Sequence, residues 1–228
     1  MMLIFNTLLS LSLLNFLPSL KQDHCNDARG RRLEQPSYQA SEVKVVHQVR
    51  TKDKVVFITI DDGVNVSDPL AKFIDENEIP ITTFALAGEL WRNRDWFRDR
   101  KNMTYENHTN THAHMTLITP ESQIFEICRA SQIVRNVVND RPIFFRPPGG
   151  SWNEEVRTSV GHAGIKYIAM WNVEVDKGKI LNRGRKSLSP GDIILLHYTQ
   201  GLERDLKVLL TKMRQDGLEP ALLRDYLK

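Results

Sequence analysis

The sequence predicts an α/β fold, specifically a barrel of about seven strands. From residue 52 onward, strand-like and helix-like segments alternate, which is typical of a parallel α/β protein. Residues 55–60 (VVFITI) form an apolar run rich in β-branched side chains, as in a strand that is buried on both faces. The side chains suited to catalysis follow several different strands, and this distribution favours a barrel over an open sheet.

The remaining elements are predicted from their local patterns, in chain order. Ser67 is a candidate N-cap for a helix in which Leu70, Phe73 and Ile74 recur at helical spacing. A long amphipathic helix is predicted over residues 120–139, where apolar side chains lie on one side. Further strands are predicted at residues 81–86, 143–145, 166–170 and 192–197, and further helices at residues 154–163 and 202–216.

The domain organisation follows from length and from a change in composition near the N-terminus. At 228 residues the chain is long enough for one good-sized domain and too short for two. Residues 1–20 contain no charged side chain, so we interpret residues 1–22 as a signal peptide or an N-terminal membrane anchor, and leave cleavage or retention open. Residues 23–51 read as a linker with at most one short strand, at residues 42–49, and the ordered domain is expected over residues 52–228.

The expected location is outside the cytoplasm, either secreted or associated with the cell envelope. Cys25 lies in the predicted linker and Cys128 in the predicted long helix. In an exported protein the two cysteines could form a disulfide, and two free thiols are the equal alternative.

The charge balance excludes one class of partner. The chain has 31 basic and 28 acidic residues, a net charge of +3, and one arginine cluster at Arg29, Arg31 and Arg32. This mildly basic surface would suit an anionic envelope polymer, but it lacks the basic helix and the aromatic-basic interleaving of a nucleic-acid-binding protein. We therefore expect no nucleic-acid partner. The oligomeric state stays open.

Two short segments combine carboxylates with imidazoles. Asp61 and Asp62 follow a buried strand and precede Gly63. One of them could therefore bind a metal while the other faces the reacting water. The alternative is an ordinary Asp-Asp-Gly turn without a function. His108 and His112 are four residues apart, and on a helical turn both rings would lie on one side. With Asp62 they form an Asp-His-His set with an open position, which predicts a divalent metal site best suited to zinc and acceptable to cobalt, nickel or iron.

Two further residues follow predicted strands. Arg146 begins the segment RPPGG, whose prolines and glycines predict a rigid loop lining a pocket, and Arg146 could orient Asp61 through a bidentate contact. A structural turn with a surface arginine is the alternative. His197 ends the apolar strand predicted at residues 192–197, where parallel α/β folds place catalytic groups, although a rim histidine without a catalytic role also fits.

Taken in order, these segments resemble the polysaccharide deacetylase family, the NodB homology domain of carbohydrate esterase family 4. The family pattern T-F-D-D-G, H-[ST]-x-x-H, R-x-P-x-G and L-x-L-H is matched at residues 59–63, with Ile60 in place of Phe, at residues 108–112 and 146–150, and by Leu195 and Leu196 before His197. The resemblance covers the chain from about residue 52 to its C-terminus. It implies a distorted (β/α) barrel and a metal-dependent hydrolase that removes N-acetyl groups from peptidoglycan, a chitin-like polymer or an exopolysaccharide.

The resemblance also implies a role for each matched residue. Asp61 would be the general base, His197 the general acid, and Arg146 the residue that orients Asp61. Gly149 would offer its backbone N–H to the oxyanion. The implied metal ligands are Asp62, His108 and His112.

The chain departs from the family pattern at Gly149, where the third motif often has an aromatic residue, and more seriously in its fourth motif. Residues 171–177 (WNVEVDK) stand where the family has D-x-x-D-W, no Trp follows them, and either Glu174 or Asp176 would have to support Arg146 or His197. Two other functions stay open. One is an O-acetyl esterase acting on xylan or another acetylated polymer, since the same site can cleave an ester. The other, supported by the altered fourth motif, is a catalytically silent carbohydrate-binding module of the same fold.

Overall fold

The computed structural model describes Cys25, residues 36–98 and residues 100–228. The signal peptide or anchor expected at residues 1–22 lies outside the described residues. Within the described part of the chain, every helix is too short or too polar to cross a membrane.

A single sheet forms the centre of the fold. In chain order its strands are β1 (Lys44–Val46), β2 (Val55–Asp62), β3 (Ile81–Ala85), β4 (Met103–Asn107), β5 (Phe144–Phe145), β6 (Tyr167–Ala169), β7 (Val173–Asp176), β8 (Lys179–Leu181), β9 (Ile193–His197) and β10 (Glu219–Pro220).

Helices cover the outside of the sheet. They are α1 (Asp68–Glu76), α2 (Ala87–Arg92), α3 (Arg94–Arg98), α4 (Pro120–Val138), α5 (Glu154–His162), α6 (Leu202–Asp216) and α7 (Leu223–Tyr226). Ser67 caps α1 as predicted, because its side chain accepts from the Leu70 N–H. The long helix predicted at residues 120–139 is also confirmed, as α4.

The sheet is almost entirely parallel and curls into an incompletely closed barrel. Its strand order is β1-β6-β5-β4-β3-β2-β9-β7-β8, with β10 paired to the beginning of β2, and among the described strands only β7 and β8 pair in an antiparallel manner. After β1, Gln48 forms an isolated bridge with Asp192 just before β9, which brings the two sides of the sheet together. The predicted α/β barrel is confirmed, with more strands than the seven expected.

One strand that the sequence analysis missed is β4. Its polar residues Thr104, Glu106 and Asn107 interrupt the apolar pattern by which a buried strand is predicted. Glu106 is nevertheless completely buried. Glu106 accepts hydrogen bonds from the backbone N–H groups of Ile143 and Phe144 and pairs with Arg224 of α7. Because these partners are distant in the chain, they make a charged residue tolerable in a buried strand without leaving a local signal.

The segment 23–51, expected to be a linker with at most one short strand at residues 42–49, contains that strand as β1 and is in part an edge of the domain. Strand β1 pairs in parallel with β6, and Val43 before it is completely buried. Tyr38 donates from its backbone N–H to the Gly161 carbonyl of α5 at 3.0 Å. The sheet therefore starts before residue 52. Farther toward the N-terminus, Cys25 forms a disulfide with Cys128 of α4, which decides between the two alternatives for the cysteines.

The strand register brings the candidate residues to one edge of the sheet. Asp61 of β2 is the register partner of His197 of β9, and Asn107, which precedes His108, is the register partner of Phe145, which precedes Arg146. Carboxyl ends of parallel strands share an edge, so residues separated by more than a hundred positions become neighbours.

Candidate metal centre and active site

The two aspartates at the end of β2 have different surroundings. Asp61 is buried, whereas Asp62 is partly exposed and has a backbone φ of 83°, in the left-handed region. The Asp62 carbonyl accepts from the Leu86 N–H at 3.0 Å, which holds this backbone in place. Gly63 continues the turn with a φ of 97°, and a Cβ there would lie 3.1 Å from the Phe97 ring. This tight turn directs the two carboxylates to different partners.

Asp62 converges with His108 and His112. The Asp62 Oδ1 atom lies 3.6 Å from Nε2 of His108 and 3.7 Å from Nε2 of His112, and one ligand atom from each residue lies within 4.8 Å of the others. Asp62 Oδ1 is buried and makes no hydrogen bond to any described residue. An unpaired buried carboxylate oxygen beside two imidazole nitrogens fits a divalent cation, because a cation would satisfy it.

The His108–His112 segment is a loop, so the helical turn expected there is wrong. Thr109 and His112 have φ values of 73° and 64°, which a helix does not allow. Asn107 closes the start of the loop, with its side-chain oxygen accepting from Thr109 N–H at 3.0 Å. The Thr109 hydroxyl then accepts from His112 N–H at 3.0 Å. These local hydrogen bonds bring the two rings together without helical geometry.

His108 is prepared to act as a neutral ligand. Its Nδ1 lies 2.8 Å from the Arg146 carbonyl oxygen, and since a carbonyl can only accept, Nδ1 carries the proton and Nε2 keeps its lone pair. Burial lowers the pKa of His108, although the nearby carboxylates of Asp61 and Asp62 oppose this effect. The ring is therefore held in the tautomer that directs Nε2 toward Asp62.

Arg146 is completely buried and holds Asp61. Its Nη1 donates to Asp61 Oδ1 and to the Thr59 hydroxyl, both at 2.8 Å. The contact with Asp61 is therefore made by one nitrogen, and the expected bidentate contact is wrong. Burial lowers the pKa of Arg146 and the Asp61 carboxylate opposes this shift, so the guanidinium stays charged.

The other donors of Arg146 reach backbone carbonyls. Nε donates to Ala169 at 2.8 Å and Nη2 to Met170 at 3.2 Å. The guanidinium carbon lies 4.0 Å from the centre of the Phe84 ring and 5.6 Å from that of Trp171. These contacts keep the guanidinium fixed against Asp61 and away from solvent.

The loop after Arg146 lines one side of the site. Gly149 and Gly150 have φ values of 63° and 68°, which glycine adopts without strain. A Cβ on Gly150 would lie 2.9 Å from the Trp171 ring, so this glycine is also required for close packing. Gly149 is exposed at the surface.

The structure brings His197 to the site and leaves Glu174 and Asp176 apart from it. His197 is half-buried beside Asp61 in the strand register, and its ring makes no hydrogen bond to any described residue. Asp176 pairs with Lys177 at 3.5 Å, and neither Asp176 nor Glu174 has a hydrogen bond or ion pair with Arg146 or His197. The supporting carboxylate expected from residues 171–177 is therefore not found at either position.

Other residues at the site have no role assigned from the sequence. Thr59, Phe84 and Trp171 contact Arg146, and Glu126 of α4 accepts hydrogen bonds from the His108–His112 loop. Trp171 lies in the altered fourth motif at residues 171–177, but the sequence analysis assigns it no role. Thr59 begins the matched segment at residues 59–63 but has no role assigned from the sequence, and Glu126 reads as a polar residue on an amphipathic helix.

The family of this chain is decided by comparison with known proteins. Residues 48–168 match the family model described as polysaccharide deacetylase. The chain belongs to the polysaccharide deacetylase family. This confirms the resemblance seen in the sequence motifs.

Relatives of this polysaccharide deacetylase family member include proteins with different substrates in their names. An uncharacterized protein of Streptomyces coelicolor is 31% identical over 90% of the chain and 82% of its own length. A peptidoglycan-N-acetylglucosamine deacetylase of Bacillus cereus is 26% identical over 67% of the chain and 76% of its own length. A bifunctional xylanase/xylan deacetylase of Cellvibrio japonicus is 27% identical over 72% of the chain, which spans only 26% of that protein.

Solved structures share the fold of this family member. A family 4 carbohydrate esterase from Bacillus anthracis has a TM-score of 0.70 at 19% identity, covering 82% of this chain and 89% of that one. A family 4 pseudoenzyme from the same organism has a TM-score of 0.67 at 18% identity, covering 81% and 69%. At these identities the likeness concerns the fold, and the fold alone does not separate active from inactive members.

Proposed function

We propose that this protein is a metal-dependent hydrolase that removes N-acetyl groups from a polysaccharide. One observation carries the proposal: the ligand atoms of Asp62, His108 and His112 lie within 4.8 Å of one another beside the buried Asp61–Arg146 pair. In this proposal the three clustered residues hold the metal, with zinc the best match to an Asp-His-His set. When bound, a divalent metal would act as a Lewis acid for the acetyl carbonyl and lower the pKa of a water.

Asp61 serves as the general base. Its Oδ1 is occupied by Arg146, whereas its Oδ2 lies 3.9 Å from His108 Nε2, on the side of the ligand cluster. One oxygen is thus anchored and the other is available to remove a proton from the attacking water. The anchoring matters because a general base must be held within hydrogen-bond reach of the proton that it removes.

His197 serves as the general acid. It is the register partner of Asp61 on the neighbouring strand, so an acetyl group beside Asp61 would also be near the His197 ring. Its partial exposure allows proton exchange with solvent between turnovers. The Gly149 N–H, exposed on the loop that follows Arg146, would donate a hydrogen bond to the developing oxyanion.

The proposed location is outside the cytoplasm, secreted or at the cell envelope. The Cys25–Cys128 disulfide supports this location, because disulfides persist in oxidising compartments. The proposed substrate is an acetylated envelope polymer, in keeping with the named substrate of the Bacillus cereus relative.

The experiment combines metal analysis with acetate release. The purified protein would be assayed on peptidoglycan, chitin oligomers, an N-acetylated exopolysaccharide and O-acetylated xylan. We expect bound metal and acetate from at least one N-acetylated polymer. Acetate from xylan alone would favour the O-acetyl esterase, an alternative supported by the Cellvibrio japonicus relative.

The silent-module alternative has a specific observation in its favour. A family 4 pseudoenzyme shares the fold, and the fourth motif of this chain is altered. Against it, the chain retains a full set of candidate catalytic and ligand residues: Asp61, Asp62, His108, His112, Arg146 and His197. Bound metal without acetate release from any polymer would overturn the proposed activity.

A further inference from the structure

Glu126 of α4 is connected to the loop that carries His108 and His112. Its Oε2 accepts from the backbone N–H groups of Asn110 and Thr111, at 2.9 and 2.8 Å. Its Oε1 accepts from the Thr111 hydroxyl at 3.0 Å. One carboxylate therefore satisfies both backbone donors in the middle of the loop.

The surroundings of Glu126 show that this carboxylate is directed to the loop alone. It is 7% exposed and forms no ion pair with any described residue, so three hydrogen bonds from the loop replace the solvation that the charge has lost. A nearly buried carboxylate without a cation is uncommon, because its charge is costly to bury. The hydrogen bonds from the loop account for its presence.

The loop needs an external anchor because its own conformation is unusual. Thr109 and His112, two non-glycine residues, have positive φ values, which side-chain-bearing residues rarely adopt. The neighbouring anchor, Asn107, also binds α4 through the Ile127 carbonyl, at 2.7 Å. Helix α4 thus holds the loop at its start and at its middle.

We propose that Glu126 is a positioning residue for the metal centre, one that sets the separation of His108 and His112 by fixing the backbone between them. The inference rests on the proposed function, since it assumes that these histidines bind a metal. Glu126 does not touch the candidate ligands themselves. Its effect on metal binding passes through the Asn110 and Thr111 backbone.

The test compares three variants of the full chain. Glu126→Leu removes all three acceptors, whereas Glu126→Gln keeps an amide oxygen for the two N–H groups and an NH₂ that can donate to the Thr111 hydroxyl. Gln123→Leu is the matched control, because Gln123 is also buried on α4 but binds the Met115 and Ile118 carbonyls instead of the metal loop. The readouts are Zn²⁺ affinity by chelator competition, the Co²⁺ absorption spectrum, and the melting temperature without metal.

A positioning role predicts a specific pattern. Glu126→Leu should weaken Zn²⁺ binding roughly 10- to 100-fold and alter the Co²⁺ spectrum, as for other residues that orient metal ligands. Glu126→Gln should stay within about threefold of wild type, and Gln123→Leu should lower the melting temperature while leaving Zn²⁺ affinity within about threefold. If Glu126→Leu does not fold, Thr111→Val, which removes one of the three hydrogen bonds, should still weaken Zn²⁺ binding measurably.

Other outcomes overturn the proposal at different levels. Wild-type protein that binds no metal would overturn the proposed metal centre and this inference with it. Wild-type protein that binds Zn²⁺ normally, with Glu126→Leu or Thr111→Val binding it equally well, would overturn the positioning role alone. Equal weakening in Glu126→Leu and Gln123→Leu would assign the effect to the stability of α4 in general.

Discussion

Arg146 donates from Nη1 to Asp61 Oδ1 across 2.8 Å, and Asp61 is the only carboxylate among the described residues that pairs with this buried guanidinium. Its other polar partners are neutral oxygens: the Thr59 hydroxyl and the carbonyls of Ala169 and Met170. Asp61 is therefore both the proposed base and the counter-charge of Arg146. This double role makes its substitution informative about stability as well as activity.

We expect Asp61→Asn to keep metal binding and lose activity. Removing a general base costs typically about 10²- to 10⁴-fold in rate. Because the buried arginine also loses its counter-charge, the free energy of unfolding should fall by about 3 kcal/mol. Turnover, Zn²⁺ affinity and urea denaturation would check these effects, and turnover near the wild-type rate would contradict the assignment of Asp61.

His108→Ala should lose both metal and activity. His108 is buried and places Nε2 3.6 Å from the unpaired Asp62 Oδ1, so its loss leaves the cluster with two of its three ligands. Metal content by elemental analysis and acetate release would be measured together. His114→Ala is the matched control, because His114 lies exposed just after the loop and outside the ligand cluster, and it should retain both.

His197→Ala should impair amide cleavage more than ester cleavage. An amine is a poorer leaving group than an alkoxide and depends more on protonation by a general acid. The measurement compares kcat on an N-acetylated and an O-acetylated substrate for wild type and variant. An equal loss on both substrates would argue against His197 as the acid.

Arg146→Lys should destabilise the protein despite conserving charge. A lysine could form an ion pair with Asp61, but its single ammonium group cannot also donate hydrogen bonds to the Ala169 and Met170 carbonyls as the planar guanidinium does. An unsatisfied buried polar group costs about 1–3 kcal/mol, so we expect a loss of about 2–4 kcal/mol in urea denaturation. Arg129→Lys, on the exposed face of α4, should change the free energy of unfolding by less than about 0.5 kcal/mol.

Cys128→Ser should lower stability without removing a candidate catalytic residue. The disulfide joins residues separated by 103 positions, and a cross-link of this loop length stabilises by about 2–5 kcal/mol, mainly through the unfolded chain. The melting temperature of wild type with reductant should approach that of the variant. Identical melting temperatures with and without reductant would indicate that the disulfide does not form in solution.

Much of the site could be predicted because its chemistry is local in sequence. Asp61 and Asp62 are adjacent after an unmistakable buried strand, and His108 and His112 are four residues apart, so the ligand set could be assembled from short segments. The predicted geometry was less accurate. The histidines lie on a loop because the side chains of Asn107, Thr109 and Glu126 accept hydrogen bonds from its backbone N–H groups. Such hydrogen bonds produce no periodic pattern in the sequence from which the loop could be predicted.

The support of Arg146 shows the limit of motif comparison. The altered fourth motif suggested Glu174 or Asp176 as a partner, yet besides Asp61 Arg146 is held by Thr59 and by two carbonyls. Every residue type has a backbone carbonyl, so such an acceptor leaves no trace in the sequence.

The sequence by itself determined the α/β class, the buried central strand, the long helix and the residues of the candidate metal centre. The reason is that hydrophobic period and short-range spacing are local properties. Only the tertiary structure decided the Cys25–Cys128 pairing, the pairing of the edge strand Lys44–Val46 with β6, the burial of Glu106 and the anchoring of the metal loop by Glu126. Each of these features depends on contacts between segments that are distant in the chain. Those contacts form, and stabilise the protein, only once the sheet has brought the segments together.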